Sequence, residues 1–441
     1  MSLRLLAVGD MHLGRRPSRL PAPLAEHGDA LGPAGAWQRT VEAAIEATVD
    51  AVVLAGDVIE KPEDFFEGYG ELARGVARLT EAGIHVLGVV GNHDVKVLPR
   101  LADQIPAFEL LGRDGQWQSA AIEASGERLT LWGWSFPREV VRFSPLEGQR
   151  FERGPGVNLG LLHCDRDQSG SRHAPVRSAE LADAGLDGWL LGHIHKPDSL
   201  TAPNPSGYLG SLTGMDPGEH GARGPWLLTI EGGRVESMEQ WRLAPLRWER
   251  VDLDLTGLEE AEQVQDRLLQ EVRALDEDWA ERDRPLEAVG IRLRLVGRSN
   301  LAEAAAEALG PALHEALFRG ARGTHYFLEK LLVEALPEIP LDQLAEANHP
   351  AGLLARRLRL LDGPADDSAR QRLIEEGRRR LQARLGESRW QALADGGLGT
   401  DGMGADSIGR DSLDEQVVVD YLRRAGTRML ERMLASRGDL G

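Results

Sequence analysis

The sequence predicts an α/β sandwich over residues 1–246, a small α+β unit over 247–345 and a helical region over 346–441. Three observations carry this reading. Short apolar runs of strand length alternate with helical stretches through the first 200 residues. The early runs each end in Gly plus a polar cluster, as buried strands do when their C-terminal ends open into loops. In the last hundred residues the apolar spacing is helical.

In chain order, residues 3–9, 50–55 and 84–90 read as buried strands. Residues 15–35, rich in Pro, Gly and Ala, read as a long loop, and 37–48 as a short helix. Phe65, Tyr69, Leu72, Val76 and Leu79 are spaced 4, 3, 4, 3 along one helical face, and Gly83 ends that helix. Residues 128–134, 157–162, 188–191 and 226–230 add strands. In the second unit, 249–255 and 290–296 alternate like half-buried strands around an acidic helix over 257–279. Asn300 with Glu303 resembles a capping box, and 326–333 reads as another strand. Two tail helices follow, over 368–393 and 412–436, joined by a Gly-rich linker over 395–411 expected to be flexible. The second carries Val417, Val418, Tyr421, Leu422, Met429, Leu430, Met433 and Leu434, a stripe that needs a cover in water. A partner protein, a second copy of the chain, the other tail helix or the unit over 247–345 would provide one.

The chain has 441 residues, 42% hydrophobic and 27% charged, which is ordinary for a globular protein. Its 51 basic and 70 acidic residues give a net charge of −19, which argues against a general nucleic-acid-coating protein. An enzyme gripping a polyanion through a local basic groove remains compatible. Residues 250–290 hold 13 acids and 5 bases, whereas 352–390 hold 10 bases and 6 acids. No apolar run approaches the ~20 residues of a membrane span, and 3–9 reads as a strand rather than a secretory leader. One cysteine, Cys164, excludes an internal disulfide and suits a reducing, cytoplasmic setting. It reads as a small buried apolar residue. His85, inside a strand, is expected in the core.

The polar clusters that carry chemistry all stand at strand ends. They are Gly9-Asp10-Met11-His12, Gly56-Asp57-Val58-Ile59-Glu60, Gly91-Asn92-His93-Asp94, Leu162-His163 and Gly192-His193-Ile194-His195. Side chains on loops at one edge of a rigid sheet can converge on one point. Outside His93 the set offers four imidazoles, two carboxylates and an amide, about what two divalent cations need once water fills the remainder. A single such cluster is usually a capped turn. Five in this order, each after an apolar strand, point to a metal centre.

The ordered set DxH, GD, GNHD, H and GHxH resembles the calcineurin-like metallophosphoesterases. The stretches GDMHLGRRPSRLP, VDAVVLAGDVIEKPEDFFEGYGELARGVARL, AGIHVLGVVGNHD and GWLLGHIHKPDSL resemble their DNA-repair branch, the SbcD/Mre-type exonucleases. Residues 208–224 are similar to the YhaO-like subgroup. The resemblance is strong over 1–235, weaker over 247–345, which looks like the family's capping domain, and faint beyond.

It implies a four-layer αββα sandwich with a small capping domain and a helical tail. It also implies two-metal hydrolysis of phosphodiesters in DNA, as exonuclease or endonuclease, with ions ~3.5–4 Å apart. Asp10, His12, Asp57 and His195 would hold one ion; Asp57, Asn92, His163 and His193 the other. Manganese is the family's usual activator; iron and zinc also suit these donors. His93 would face the scissile phosphate or protonate the leaving oxygen. Glu60 stands where relatives carry His or Asp, and would orient His93 as an acidic partner. Arg15, Arg16 and Arg19 would clamp backbone phosphates, with a solvated loop as the plain alternative. The implied partners are DNA and an SbcC-type coiled-coil ATPase docking on the tail, or a homodimer in its place. The rival reading is a small-molecule phosphodiesterase or phosphomonoesterase on the same scaffold.

Overall fold

The computed structural model describes residues 2–61, 63, 65–280, 284–310, 316–385 and 414–435. The expected linker over 395–411, residues 386–393 of the first tail helix, and residues 412, 413 and 436 of the second lie outside the described residues. The chain divides into two compact units, 1–337 and 338–441.

In the first unit, β1 (Leu3–Val8), β2 (Ala51–Leu54), β3 (His85–Gly88) and β4 (Phe108–Leu110) run parallel, side by side. Helices Pro33–Glu46 and Phe65–Glu81 make the crossovers from β1 to β2 and from β2 to β3. A second sheet has the order β5 (Gln118–Ala124), β6 (Glu127–Trp134), β7 (Val157–His163), β8 (Gly188–Gly192), β9 (Ser206–Tyr208). There β6 to β9 are parallel and β5 is antiparallel. The chain then returns to the first sheet as β10 (Trp226–Glu231), antiparallel to β1, and β11 (Arg234–Gln240).

The two-residue period of β1 decides what packs where. Leu3, Leu5 and Ala7 turn to the second sheet, meeting Leu129, Leu131, Leu159, Leu161 and Leu190 in one fully buried layer. Leu6 and Val8 turn the other way, to the core that holds Trp37, Val41, Leu72, Val76 and Leu79 of the helices. The result is the α/β sandwich with helical covers that the sequence predicts. Cys164 is fully buried, as expected. His85 is a correction: it opens β3 and is exposed, because the core side of that strand begins at Val86.

A third sheet, β12 (Leu246–Asp254), β13 (Ala288–Val296), β14 (Ala316–Arg319) and β15 (His325–Val333), has the order β12-β13-β15-β14. Helices Glu262–Ala280 and Ala302–Leu309 pack on it through Val264, Leu268, Val272 and Leu309. Trp248 of β12 ties it to the sandwich. Its Nε1 donates to Gly214 O at 3.1 Å, and its carbonyl accepts from Gly221 N at 2.9 Å. Arg39 adds bonds to Pro285 O at 2.9 Å and Glu287 at 2.7 Å.

In the second unit, helices Pro350–Leu361, Ser368–Leu385 and Glu415–Ala435 share a core of Ala351, Ala355, Leu358, Leu361, Ile374, Val418, Val419, Leu430 and Leu434. The apolar stripe of the last helix therefore has its cover inside the chain. Tyr421 and Met429 are the members left outside, 49% and 52% exposed. Leu430→Ala is expected to destabilise this unit by about 2–5 kcal/mol through the cavity it leaves. Tyr421→Ala should stay within about 0.5 kcal/mol. Urea unfolding of the two variants checks this, and equal effects would mean the stripe is not packed as described.

Two strand-end loops are clasped by Asp94, which is fully buried. Its Oδ2 accepts from Val58 N at 2.7 Å and its Oδ1 from Gly91 N at 2.8 Å. Burial, and the charge of Asp57 nearby, push this carboxyl up to about 7. Asp94→Asn turns one acceptor into a donor against a backbone N–H. It is expected to cost about 1–3 kcal/mol, read as a lower urea midpoint; an unchanged midpoint would refute the clasp.

Candidate metal centre

Both sheets of the sandwich present their C-terminal strand ends on one side. Asp10 follows β1, Asp57 follows β2, Asn92 and His93 follow β3, His163 ends β7, and His193 and His195 follow β8. Close approach of these loops demands glycine. A Cβ on Gly91 would stand 2.1 Å from Asp57 Oδ1, so no larger residue fits there. His12, Asp57 and His193 adopt positive φ, at 54°, 46° and 106°. Such backbones cost of order 1–3 kcal/mol each in non-glycine residues and cluster at functional sites.

The seven expected ligands come together in two groups around Asp57. On one side, His12 Nε2 stands 3.1 Å from His195 Nε2 and 3.9 Å from Asp57 Oδ2. Asp10 belongs to this group, its carboxylate lying within ligand-sharing distance of His12 and Asp57. On the other side, His163 Nε2 is 3.3 Å from Asp57 Oδ2, 3.1 Å from Asn92 Oδ1 and 3.2 Å from His193 Nδ1. Asp57 Oδ2 thus faces both groups, while Asp57 Oδ1 accepts from His93 N at 2.9 Å.

Each of the four imidazoles has its other nitrogen against an oxygen. His163 Nδ1 bonds to Ala55 O at 3.0 Å. A carbonyl only accepts, so Nδ1 carries the hydrogen and Nε2 turns a lone pair inward. His193 Nε2 meets Asp165 Oδ1 at 3.1 Å, His12 Nδ1 meets Glu60 Oε2 at 2.7 Å, and His195 Nδ1 meets Glu219 Oε1 at 2.7 Å. The inner nitrogens then face one another as two close pairs. Lone pairs at that separation repel unless a proton or a cation lies between them. Asp10 adds a fully buried Oδ2 with no hydrogen-bond partner. A centre of this donor set, with an orphaned buried carboxylate oxygen, fits two divalent cations.

The electrostatics agree. Burial holds the Asp10 carboxyl above its ordinary value, with Asp57 adding to the rise. Burial also pushes Asp57 up, yet His163, His12 and His93 together outweigh it and hold that carboxyl low. Burial opposes charge on His163 too, but Asp57 and Asp10 bring it to about 9. His193, desolvated and beside His163, is held down to about 4. Glu60 falls to about 2, chiefly because of the His12 ring beside it. Cations entering here would displace protons that the same carboxylates attract.

The other expected residues are placed as follows. His93 is exposed at the rim, its ring edge-on to His12 at 5.1 Å. Its Nδ1 lies 3.2 Å from the backbone carbonyl of Glu60, which leaves Nε2 free to face a substrate. The Glu60 carboxylate, which the sequence reading expected to orient His93, lies nearest His12 at 2.7 Å; His12, Glu60 and His93 form one group of neighbouring donor atoms, and the Glu60 backbone carbonyl faces the His93 ring. Arg15 pairs with Asp216, and Arg16 with Asp29 at 2.7–2.8 Å. Arg19, exposed, has no acidic partner among the described residues. Sequence reasoning missed Asp165 and Glu219. Asp165 sits two residues after His163, a spacing that pointed to it; Glu219 is 24 residues from His195 and carries no such signal.

Residues 3–197 match the calcineurin-like phosphoesterase family, and residues 248–336 match the middle domain of metallophosphoesterase YhaO. An uncharacterized metallophosphoesterase YhaO of Bacillus subtilis is 27% identical over 225 residues, 49% of this chain and 54% of that protein. The matched span is therefore about half the length of that relative. The DNA double-strand break repair protein Mre11 of Aeropyrum pernix is 28% identical over 299 residues, 63% of this chain and 70% of that protein. The solved calcineurin-like phosphoesterase YfkN of Bacillus subtilis is 12% identical with a TM-score of 0.33, covering 62% of this chain and 97% of that one. The geometry of the centre and the two matched segments agree: the chain carries a calcineurin-like phosphoesterase domain over residues 3–197, followed by a YhaO-type middle domain over residues 248–336.

Proposed function

We propose that this metal-dependent phosphoesterase is a phosphodiesterase that cleaves DNA in repair or end processing, with manganese as its metal. Imidazole, amide and carboxylate donors suit manganese, iron or zinc better than magnesium. In this reading residues 1–246 are the nuclease domain, 247–345 the capping domain and 346–441 the helical region. Asp10, His12, Asp57 and His195 hold one ion, and Asp57, Asn92, His163 and His193 the other. Bound ions would neutralise the phosphate and lower the pKa of the attacking water. His93 meets the scissile phosphate through Nε2, and Glu60 serves by holding His12.

One observation carries the choice of a polymeric anion. Across the third sheet, Arg250 is in register with Arg292, and Arg292 with Lys330. Like charges directly opposite on adjacent strands destabilise a sheet. Among the described residues Arg292 is the member of the row in an ion pair, with Glu329 at 2.9–3.0 Å. Two residues further along β13, Arg294 is balanced by both Asp252 and Glu334. Arg292 and Lys330 of the row line a cleft of about 420 Å³, together with Ser18, Arg19 and the acids Asp216 and Glu329. Arg19 and Lys330 are its cations without an acidic partner among the described residues. A single small phosphate ester does not need such a row, whereas a phosphate backbone does. Of the family's partners, an SbcC-type ATPase would find Leu353, Tyr421 and Met429 as exposed apolar residues on the helical unit.

Asp57→Ala is expected to abolish manganese-dependent hydrolysis of linear duplex DNA and of bis-p-nitrophenyl phosphate. His93→Ala should lower turnover about 10²–10⁴-fold while elemental analysis still finds two ions per chain. Loss of metal from the His93 variant would place that ring among the ligands. Arg250→Gln with Lys330→Gln should raise KM for duplex DNA and flatten its salt dependence by about 2 in the log–log slope. Hydrolysis of the small diester should be unaffected by that pair. Wild-type cleavage of the small diester without any cleavage of DNA would favour the small-molecule reading.

A further inference from the structure

We infer that Glu219 is a positioning residue that sets His195 for one of the two metal ions and strengthens binding at that site alone. The inference rests on the two-metal reading and adds a residue outside the strand-end motifs. Glu219 closes a turn through Pro217 and Gly218, its N–H bonding to Asp216 O at 2.8 Å. Both of its oxygens are used inside the protein. Oε1 takes His195 Nδ1 at 2.7 Å, and Oε2 takes Met215 N at 3.0 Å and Ser211 Oγ at 3.4 Å.

The loop around it is fastened at several points. Ser211 N donates to His195 O at 2.8 Å, and Leu212 N to Asp10 O at 3.0 Å. Arg223, 3% exposed, sends its guanidinium to His195 O. The backbone and the ring of His195 are therefore held from the same loop, with Nε2 turned toward His12. A carboxylate behind an imidazole fixes its tautomer and makes its inner nitrogen a stronger donor.

The two groups of ligands are backed unequally. Behind His12 and His195 stand two carboxylates, Glu60 and Glu219. Behind His163 and His193 stand one carbonyl, Ala55 O, and one carboxylate, Asp165. Asp10 also belongs to the first group, whereas Asn92 brings an uncharged oxygen to the second. The first site therefore gathers more negative charge and fills first.

The experiment is a manganese titration of metal-free full-length protein, followed by calorimetry and by electron paramagnetic resonance. Wild type should take up two ions in two steps of unequal affinity. Glu219→Ala should weaken the tighter step about 10–100-fold and leave the weaker one in place. Glu219→Gln keeps an acceptor for His195 without the charge and should recover part of the loss. Asp216→Asn weakens the side-chain bonds of the same loop to Arg15 and Ser18, leaves the Glu219 carboxylate in place and serves as the control, with both steps expected unchanged. If Glu219→Ala binds both ions as wild type does, or if Asp216→Asn costs as much, the assignment to Glu219 falls. It also falls if Glu219→Ala loses both steps together. Wild type taking up fewer than two ions would instead overturn the two-metal reading itself.

Discussion

The constraint on which this structure depends is the meeting of donors from two separate sheets at a single carboxylate. Asp57 hangs from the first sheet, and His163 reaches it from the second at 3.3 Å. For that distance to hold, the sheets must pack with their C-terminal edges level and their spacing fixed. The fully buried aliphatic layer between β1 to β3 and β6 to β8 sets the spacing. Gly91 and the Asp94 clasp set the height of the loops. Interiors packed to crystal-like density transmit small errors instead of absorbing them. The large apolar core and the small polar centre are therefore two parts of one requirement.

The centre carries visible costs. Three of its residues hold positive φ, two imidazole pairs press nitrogen toward nitrogen, and a carboxylate oxygen is buried without a partner. None of these would persist in a chain optimised for stability alone. The imidazole pairs and the orphaned oxygen share a direction, since each is relieved when positive charge enters. This agreement is stronger support for a metal centre than any one contact.

Much of this was legible in the sequence, for physical reasons. Central strands such as β2 and β7 are buried on both faces, so they read as unbroken apolar runs. The residues that meet at the centre were legible because each stands just after, or at the end of, such a run. The strands that escaped, β4, β5, β9, β11 and β14, are all at sheet edges, where they are short or polar on one side. Edge pairing depends on a neighbour distant in the chain, which local pattern does not encode. Glu219 escaped for the same reason: its partner is brought to it by the loop's path. His85 was misplaced because a strand's first residue can lie outside the layer that buries the rest. The approach of the Glu60 carboxylate to His12 was not legible because residue spacing does not tell which way a side chain turns.

Trp248 gives the third sheet a character that its separate core would not suggest. Its indole and its carbonyl are sewn to Gly214 and Gly221, on either side of Glu219. Leu20, Leu24 and Leu31 of the sandwich pack on Trp248, Leu246 and Phe327. A module attached this way is no hinged lid swinging over a finished pocket. It works as a buttress: the sheet that packs on the sandwich also braces the loop that holds the ring of His195. Substitutions at this seam would be felt first at the centre, in the setting of the His195 ring.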